Sequence, residues 1–481
     1  MTLDCSSRAN EALSSVSSSR EDDQSVVTSA PTDPAWAWSR YQPDADHPWN
    51  IKWAGHLYRR AGFGANWDEL RQAIEAGPQA TIDRLLAPGP QAQEFNRAQE
   101  EYENAAAQSG STDSLRAWWL RRMCQTPFPL QEKMTLFWHA YFGISNESVA
   151  NPALMGRYLR VLRQNALGDF GRMLGDLSGE PALFAALNGR ANRQSGNGEN
   201  LSRVLLEQYT IGSSQFVETD VQAVARAFSG WFISQDKLRY SEREHVSKPG
   251  TFLGQTGDFN KEEVVRLLSR QKATAQRVVE KLYRWLISET STPSATLLKP
   301  LVDGFGASLS IAALVETMLR SNLFFSTAAY RQKIKSPVEF ALGIIRPFNG
   351  MVSTAQLGAD LAGLGQDLFN PPVVGGWAGH TCWINRFTLI GRAKLAEALL
   401  GGSGTYGGKL DLPGAAAKAG KQVPEAAVRH TLEILLQGDV PPQASEAIAA
   451  IVQHGEGAPM DHERLRWTAI QIACLPEFHL A

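Results

Sequence analysis

The 481-residue chain is poor in cysteine, with four scattered thiols, Cys5, Cys124, Cys382 and Cys474, and no Cys-x-x-Cys pair. Neither a disulfide framework nor a zinc ribbon can be drawn from them; a reducing compartment or plain burial accounts for such thiols. Charge of one sign is not in excess: Lys plus Arg number 47, Asp plus Glu 49, and the net charge is −2. That balance removes the electrostatic case for nucleic acid or an anionic membrane as a partner. Nowhere do about 18 apolar residues run without a charge, so no membrane-spanning helix is expected. Residues 1–35 show neither a basic run ahead of an apolar core nor a twin arginine, which sets a cytoplasmic location as the expectation. His-Glu-x-x-His, Gly-x-Ser-x-Gly and phosphate-loop patterns are absent, and the nine histidines show no ligand spacing. No metal site and no cofactor are expected.

What is present is helical periodicity. Hydrophobic residues make up 43% of the chain and charged residues 20%, an ordinary globular composition. Almost every apolar pattern repeats at the helical period, and no alternating strand pattern or long repeat recurs. The expected fold is all-α, a multi-helix globular domain with long polar loops and at most a small β-hairpin. The expected organisation is a disordered tail over 1–35, a main helical domain over 36–400, a glycine-rich loop or linker over 401–423, and C-terminal helices over 424–481 packed on the main domain. Helix starts are marked by Asn66 with Glu69, Asn260 with Glu263, and Ser336-Pro337 with Glu339. Further helices are expected over 115–124, 130–142, 272–287, 425–436, 443–453 and 462–474. Ser234 to Phe259 is polar and reads as a small hairpin or a cover over a cleft.

The richest stretch is Gly196 to Trp231, two helices joined by a turn. Glu199, Arg203 and Glu207 are spaced i, i+4, i+8, which predicts a ladder of opposite charges, with Asn200 on the same face. The ladder is either a solvated face or a semi-buried polar cluster. The second helix is expected to start at Thr219 with Gln222, placing Asp220 in its first turn. Upstream, His139 closes the aromatic helix Leu130–Phe142. It is either a helix-terminal histidine stabilised by the dipole or a site histidine titrating near working pH. The loop 188–199 concentrates Asn and Arg, including Asn192 and Arg193, and reads as a flexible connection or a rim of donors for a polar ligand. Arg60, Trp231 and His245 complete the candidate ligand contacts.

These phrases together resemble a known bacterial family, domain of unknown function 1800. The resemblance rests on His56-Leu57-Tyr58-Arg59-Arg60-Ala61-Gly62-Phe63-Gly64, Lys133 to His139, Glu199-Asn200 with Arg203 and Glu207, Asp220 to Trp231, Thr251 to Gly254, Lys335-Ser336-Pro337-Val338-Glu339, Leu364 to Trp377 and Pro476-Glu477-Phe478. It runs from about residue 53 to the C-terminus. It implies a mostly helical fold and no known reaction. The chain departs from the family pattern in three places. A His-Asn-His-Phe phrase is here His139-Ala140-Tyr141-Phe142, a glutamate after the motif arginine is here Val204, and a His-Pro is here Gln271-Lys272. Such losses point to a divergent member with a degenerate site.

Three readings follow. The first is a non-catalytic binding or scaffold subunit of a larger assembly, with a protein partner near the Asn/Arg loop or the Pro371-to-Trp383 segment. The second is a hydrolase-like or metal-assisted enzyme using His139, Glu199, Asn200, Arg203, Glu207 and Asp220. The third is a carrier of a small polar ligand.

Overall fold

Helices begin where the sequence supplies caps. In the computed structural model, Asn66 Oδ1 accepts from Glu69 N at 2.9 Å while Glu69 Oε2 accepts from Asn66 N at 2.8 Å. Asn260 with Glu263 and Ser336 with Glu339 make the same reciprocal cap, so each helix start has its orphan donors satisfied. The structure describes residues 33–481 apart from 88, 189–198, 422, 443–445 and 447–461. Over these residues the chain is 64% helical, with only two small two-stranded sheets; the fold is all-α. No described helix is long and apolar enough to cross a membrane. The tail expected over 1–35 falls outside the described residues as far as 32, and the first described helix, Pro34–Trp38, starts within its last residues. The helix expected over 443–453 lies outside them almost entirely.

The helix Pro129–Phe142 sits at the centre. Trp138 and Phe142 are fully buried, and so are Glu132, Lys133 and His139 on the same helix. It packs against the helices Pro152–Gln164 and Trp67–Leu86. Trp118 and Trp119 from the helix Thr112–Gln125 and Tyr158 from Pro152–Gln164 join this core. The helix Trp67–Leu86 bends at Gly77, whose positive φ of 80° precedes Pro78. The helix Ala295–Ser308, not among those expected, has Pro300 inside it and is capped by Ser294, whose Oγ accepts from Leu297 N at 3.1 Å.

Ser234 to Phe259 holds strands of two hairpins rather than one, with the short 3-10 turn Glu242–Glu244 between them. Trp231–Ser234 pairs with Lys237–Tyr240, and Gly250–Phe252 with Gln255–Gly257. Each turns on two residues of positive φ, Gln235-Asp236 and Leu253-Gly254, the turn whose twist matches that of the strands. The glycine-rich stretch 401–423 packs rather than hangs free. It contains the helix Leu412–Lys418, it buries Leu410 and Leu412, and Tyr406 donates its hydroxyl to Asp360 Oδ2 at 2.6 Å.

Candidate functional site

The charge ladder does not form. The helix Glu199–Val204 passes directly into a π-helical turn, Leu205–Tyr209. Among the described residues Arg203 forms an ion pair with neither Glu199, one turn before it in the same α-helix, nor Glu207 in the π turn. Arg203 instead reaches across to the second helix of the pair and donates to both carboxylate oxygens of Glu218, at 2.8 and 2.7 Å. Both side chains are about half exposed, 46% and 55%. The expected pairing with Glu199 or Glu207 is thus replaced by a surface pair between the helices. Glu207 accepts from its neighbour Gln208 at 3.2 Å, and Asn200 donates to the Leu187 carbonyl.

The second helix starts one residue earlier than expected, at Glu218, and Thr219 is not its cap. Asp220 does the capping from the third helical position: its Oδ2 accepts from Val217 N at 2.9 Å and its Oδ1 from Leu253 N at 2.7 Å. One buried carboxylate therefore ties a helix start to the tip of the second hairpin, whose turn residue Leu253 has a φ of 47°. His245 is similarly local, its Nδ1 3.1 Å from both Oγ and O of Ser229. Trp231 lies under the Lys261 ammonium, 4.5 Å from its ring centre. Asn192 and Arg193 lie outside the described residues.

His139 is fully buried. Rings of Trp119, Tyr158, Phe369 and Trp377 surround it at centroid distances of 5.5 to 5.9 Å. Burial pushes its pKa down to about 3, so the ring is neutral at any ordinary pH. Its Nε2 accepts from Phe369 N at 3.2 Å. Phe369 has a φ of 72°, a left-handed conformation rare for a bulky residue. The imidazole is therefore a buried acceptor that holds a strained turn. No hydrogen bond or ion pair among the described residues joins it to Glu199, Asn200, Arg203, Glu207 or Asp220. Nor does any group of three or more His, Cys, Asp or Glu side chains among them stand close enough to share a metal ion.

The position next but one, Tyr141, is also closed. Its hydroxyl donates to the Tyr209 carbonyl at the end of the π turn, at 2.9 Å. The Pro371-to-Trp377 segment lies against the same helix end. A Cβ on Gly376 would stand 2.2 Å from the Ala140 carbonyl oxygen, and one on Gly143 would stand 2.4 Å from Gly375 N. Backbone rests on backbone here, with no room for a substrate.

A different polar centre is assembled instead. Glu339, 3% exposed, accepts from Lys333 Nζ at 2.8 and 2.7 Å, from Ser336 N at 2.8 Å and from Lys133 Nζ. Lys133 donates further to the carbonyls of Arg59 and Gly62, at 3.2 and 2.8 Å. Burial alone would raise the Glu339 carboxyl, yet Lys133 and Lys333 hold it far below the ordinary carboxylate range. Burial in turn pushes the Lys133 ammonium down to about 8 against the pull of Glu339. Arg60, expected at a ligand site, is buried beside this centre. It donates to the carbonyls of Ile287 and Ala329 at 3.1 and 2.7 Å. Three phrases that carry the family resemblance, around residues 56–64, 133 and 335–339, thus meet at one carboxylate. The sequence pattern assigns Glu339 to capping; the signal for a further role is a carboxylate set between two apolar residues, Val338 and Phe340.

On the surface, the helix Arg386–Leu400 leaves Phe387 72% exposed and Ile390 37% exposed, three residues apart. Arg386 and Lys394 are exposed beside them, and the Arg386 guanidinium lies 4.7 Å from the Phe387 ring centre. Thr381 and Cys382, just ahead of this helix, are exposed as well.

The model of the family described as protein of unknown function (DUF1800) matches residues 56–480. No curated protein and no solved structure matches the chain.

Proposed function

The chain belongs to the DUF1800 family, and within it we propose a non-catalytic role: a binding or scaffold subunit that works in the cytoplasm as part of a larger protein assembly. The observation that carries this reading is the exposed Phe387–Ile390 pair flanked by Arg386 and Lys394. Large apolar side chains set three apart on one open helix face, bordered by cations, suit a partner that offers apolar groups rimmed by carboxylates. The strip continues the Pro371-to-Trp383 segment, where Val373 is 62% exposed.

The enzyme reading has less support. Of its candidate residues, Arg203, Glu207 and Asp220 are engaged in local structural bonds, and its histidine is neutral, enclosed and occupied by Phe369 N. An acid–base catalyst must reach the substrate proton, and the fully buried His139 ring, ringed by aromatic side chains, is kept from one.

Native mass spectrometry of protein purified from its source cell tests the assembly, paired with Phe387→Glu. The expected result is a complex that the substitution dissociates while the melting temperature of the subunit stays within error. A bare monomer, or a complex indifferent to Phe387→Glu, overturns the reading.

A further inference from the structure

Next to the Glu339 centre lies a narrow cavity walled by Arg59, Lys335, Glu339, Gln437, Gly55 and Gly343. The space open to the centre of a water-sized sphere is about 20 Å³. A single water needs roughly 10–15 Å³ by that measure, so one or two water-sized bodies fit and no organic molecule does.

The walls carry two cationic side chains, Arg59 and Lys335, whose nearby carboxylates, Asp439 and Glu339, are shared with other cations. Arg59 is 7% exposed; it gives one amino group to Gln437 Oε1, while its Nε and other amino nitrogen are buried with no partner. Lys335 is 3% exposed and forms no ion pair within 4 Å among the described residues; its ammonium lies 3.8 Å from the centre of the Phe478 ring. The nearby carboxylates are committed elsewhere. Glu339 is held by Lys133, Lys333 and Ser336 N. Asp439 is held by Tyr330, Arg331 and Lys52. Buried charge without a partner is costly, and the N–H donors of two cations facing a small void set up charge-assisted bonds to an anion.

We infer that this cavity is a binding site for one monovalent anion about the size of chloride, held between the Arg59 guanidinium and the Lys335 ammonium. The ion completes the counter-charge that Glu339 alone does not supply. Burial and the neighbouring Arg59 push the Lys335 ammonium well below its ordinary range; the bound anion acts in the opposite direction and keeps it charged. A water in the same place accepts from the two cations but leaves their charge uncompensated.

Melting curves in sodium chloride and in sodium gluconate at equal ionic strength make the test, with bromide soaked into crystals as the heavy probe. The expected result is a saturable rise in melting temperature on the order of 2 °C in chloride and not in gluconate, together with an anomalous bromide peak between Arg59 and Lys335. In Lys335→Met the chloride-dependent rise disappears. Identical curves in the two salts with a peak-free cavity overturn the inference and leave water as the occupant. A chloride-specific rise without a bromide peak in the cavity places the ion elsewhere and overturns it as well. Should Lys335→Met fail to fold, the bromide map of the unaltered protein decides alone.

Discussion

Tyr141 and Tyr209 exchange hydrogen bonds across the centre of the molecule. Tyr141 donates to the Tyr209 carbonyl at 2.9 Å, and Tyr209 donates to the carbonyl of Phe142, the residue after Tyr141, at 2.6 Å. Both phenols are buried, and burial pushes the pKa of each above its ordinary value. The exchange fastens the π turn to the end of the central helix. Each single Tyr→Phe substitution should destabilise the fold by about 1–2 kcal/mol, because a buried carbonyl loses its donor. The double substitution should differ from the sum by more than about 0.5 kcal/mol if the pair acts as a unit. Denaturant unfolding of the three variants gives the cycle, and strict additivity would refute coupling.

Glu339→Gln keeps the shape of the side chain but removes the charge that Lys133 and Lys333 share. Stripping one member from a buried ion group costs about 3–5 kcal/mol. The cap on the same helix is a smaller matter, and Ser336→Ala should cost about 1 kcal/mol. Chemical denaturation of the two variants should therefore rank them clearly, and a Glu339→Gln protein as stable as Ser336→Ala would show that the cluster adds nothing beyond capping.

Arg203→Ala should cost no more than about 1 kcal/mol, the ordinary value of an exposed ion pair. Raising salt should leave the difference between variant and parent small or erase it. A loss of several kcal/mol would mean that Arg203 is held in a buried cluster after all.

Acid should weaken the fold partly through His139. In the unfolded chain a histidine titrates near 6.5, whereas in the native state burial puts His139 at about 3. Above the unfolded value both states are neutral and the group has no effect on stability. As pH falls below it, the unfolded chain takes up a proton that the native state refuses, and stability drops by about 1.4 kcal/mol per pH unit until the native value is reached. By pH 5 the loss from this residue is about 2 kcal/mol. His56, His430 and His479 are pushed down by burial too, so the whole protein should fall faster. The difference between the parent and His139→Gln, measured at pH 7 and pH 5, isolates the one ring. It should shrink by about 2 kcal/mol on going to pH 5; an unchanged difference would place the native pKa of His139 near the unfolded one.

Much of the architecture was legible because helix starts are local. Asn66 and Glu69, or Ser336 and Glu339, lie three residues apart and need only each other. The i, i+4 spacing of Glu199, Arg203 and Glu207 counts only partners within one helix, and Arg203 is taken instead by Glu218 of the next one. The π turn Leu205–Tyr209 is joined to the central helix by the bond between Tyr209 and Phe142, 67 residues apart in sequence. The Glu339 centre was hidden by distance as well, since Lys133 lies 206 residues from it. Periodicity shows which face of a helix is apolar, but not which buried charges find each other. That Glu339 sits between Val338 and Phe340 was visible, and its partner Lys133 was not.

The contact between Arg59 and Gln437 joins residues 378 positions apart. On a ribosome adding about 5–20 residues per second, Arg59 waits on the order of 20–75 s before Gln437 is made. Through that interval the helix Ile51–Arg60 can close its apolar face against Trp67–Leu86 and later Phe324 and Phe325, but the Arg59 guanidinium lacks Gln437 and the contacts of the last helices are missing. Contacts of such long range also slow folding, because loop closure precedes any gain from them. The nascent chain should therefore depend on chaperones until its last helices emerge, and ribosome-bound intermediates stalled before residue 437 should be cut readily by protease where the released protein is not.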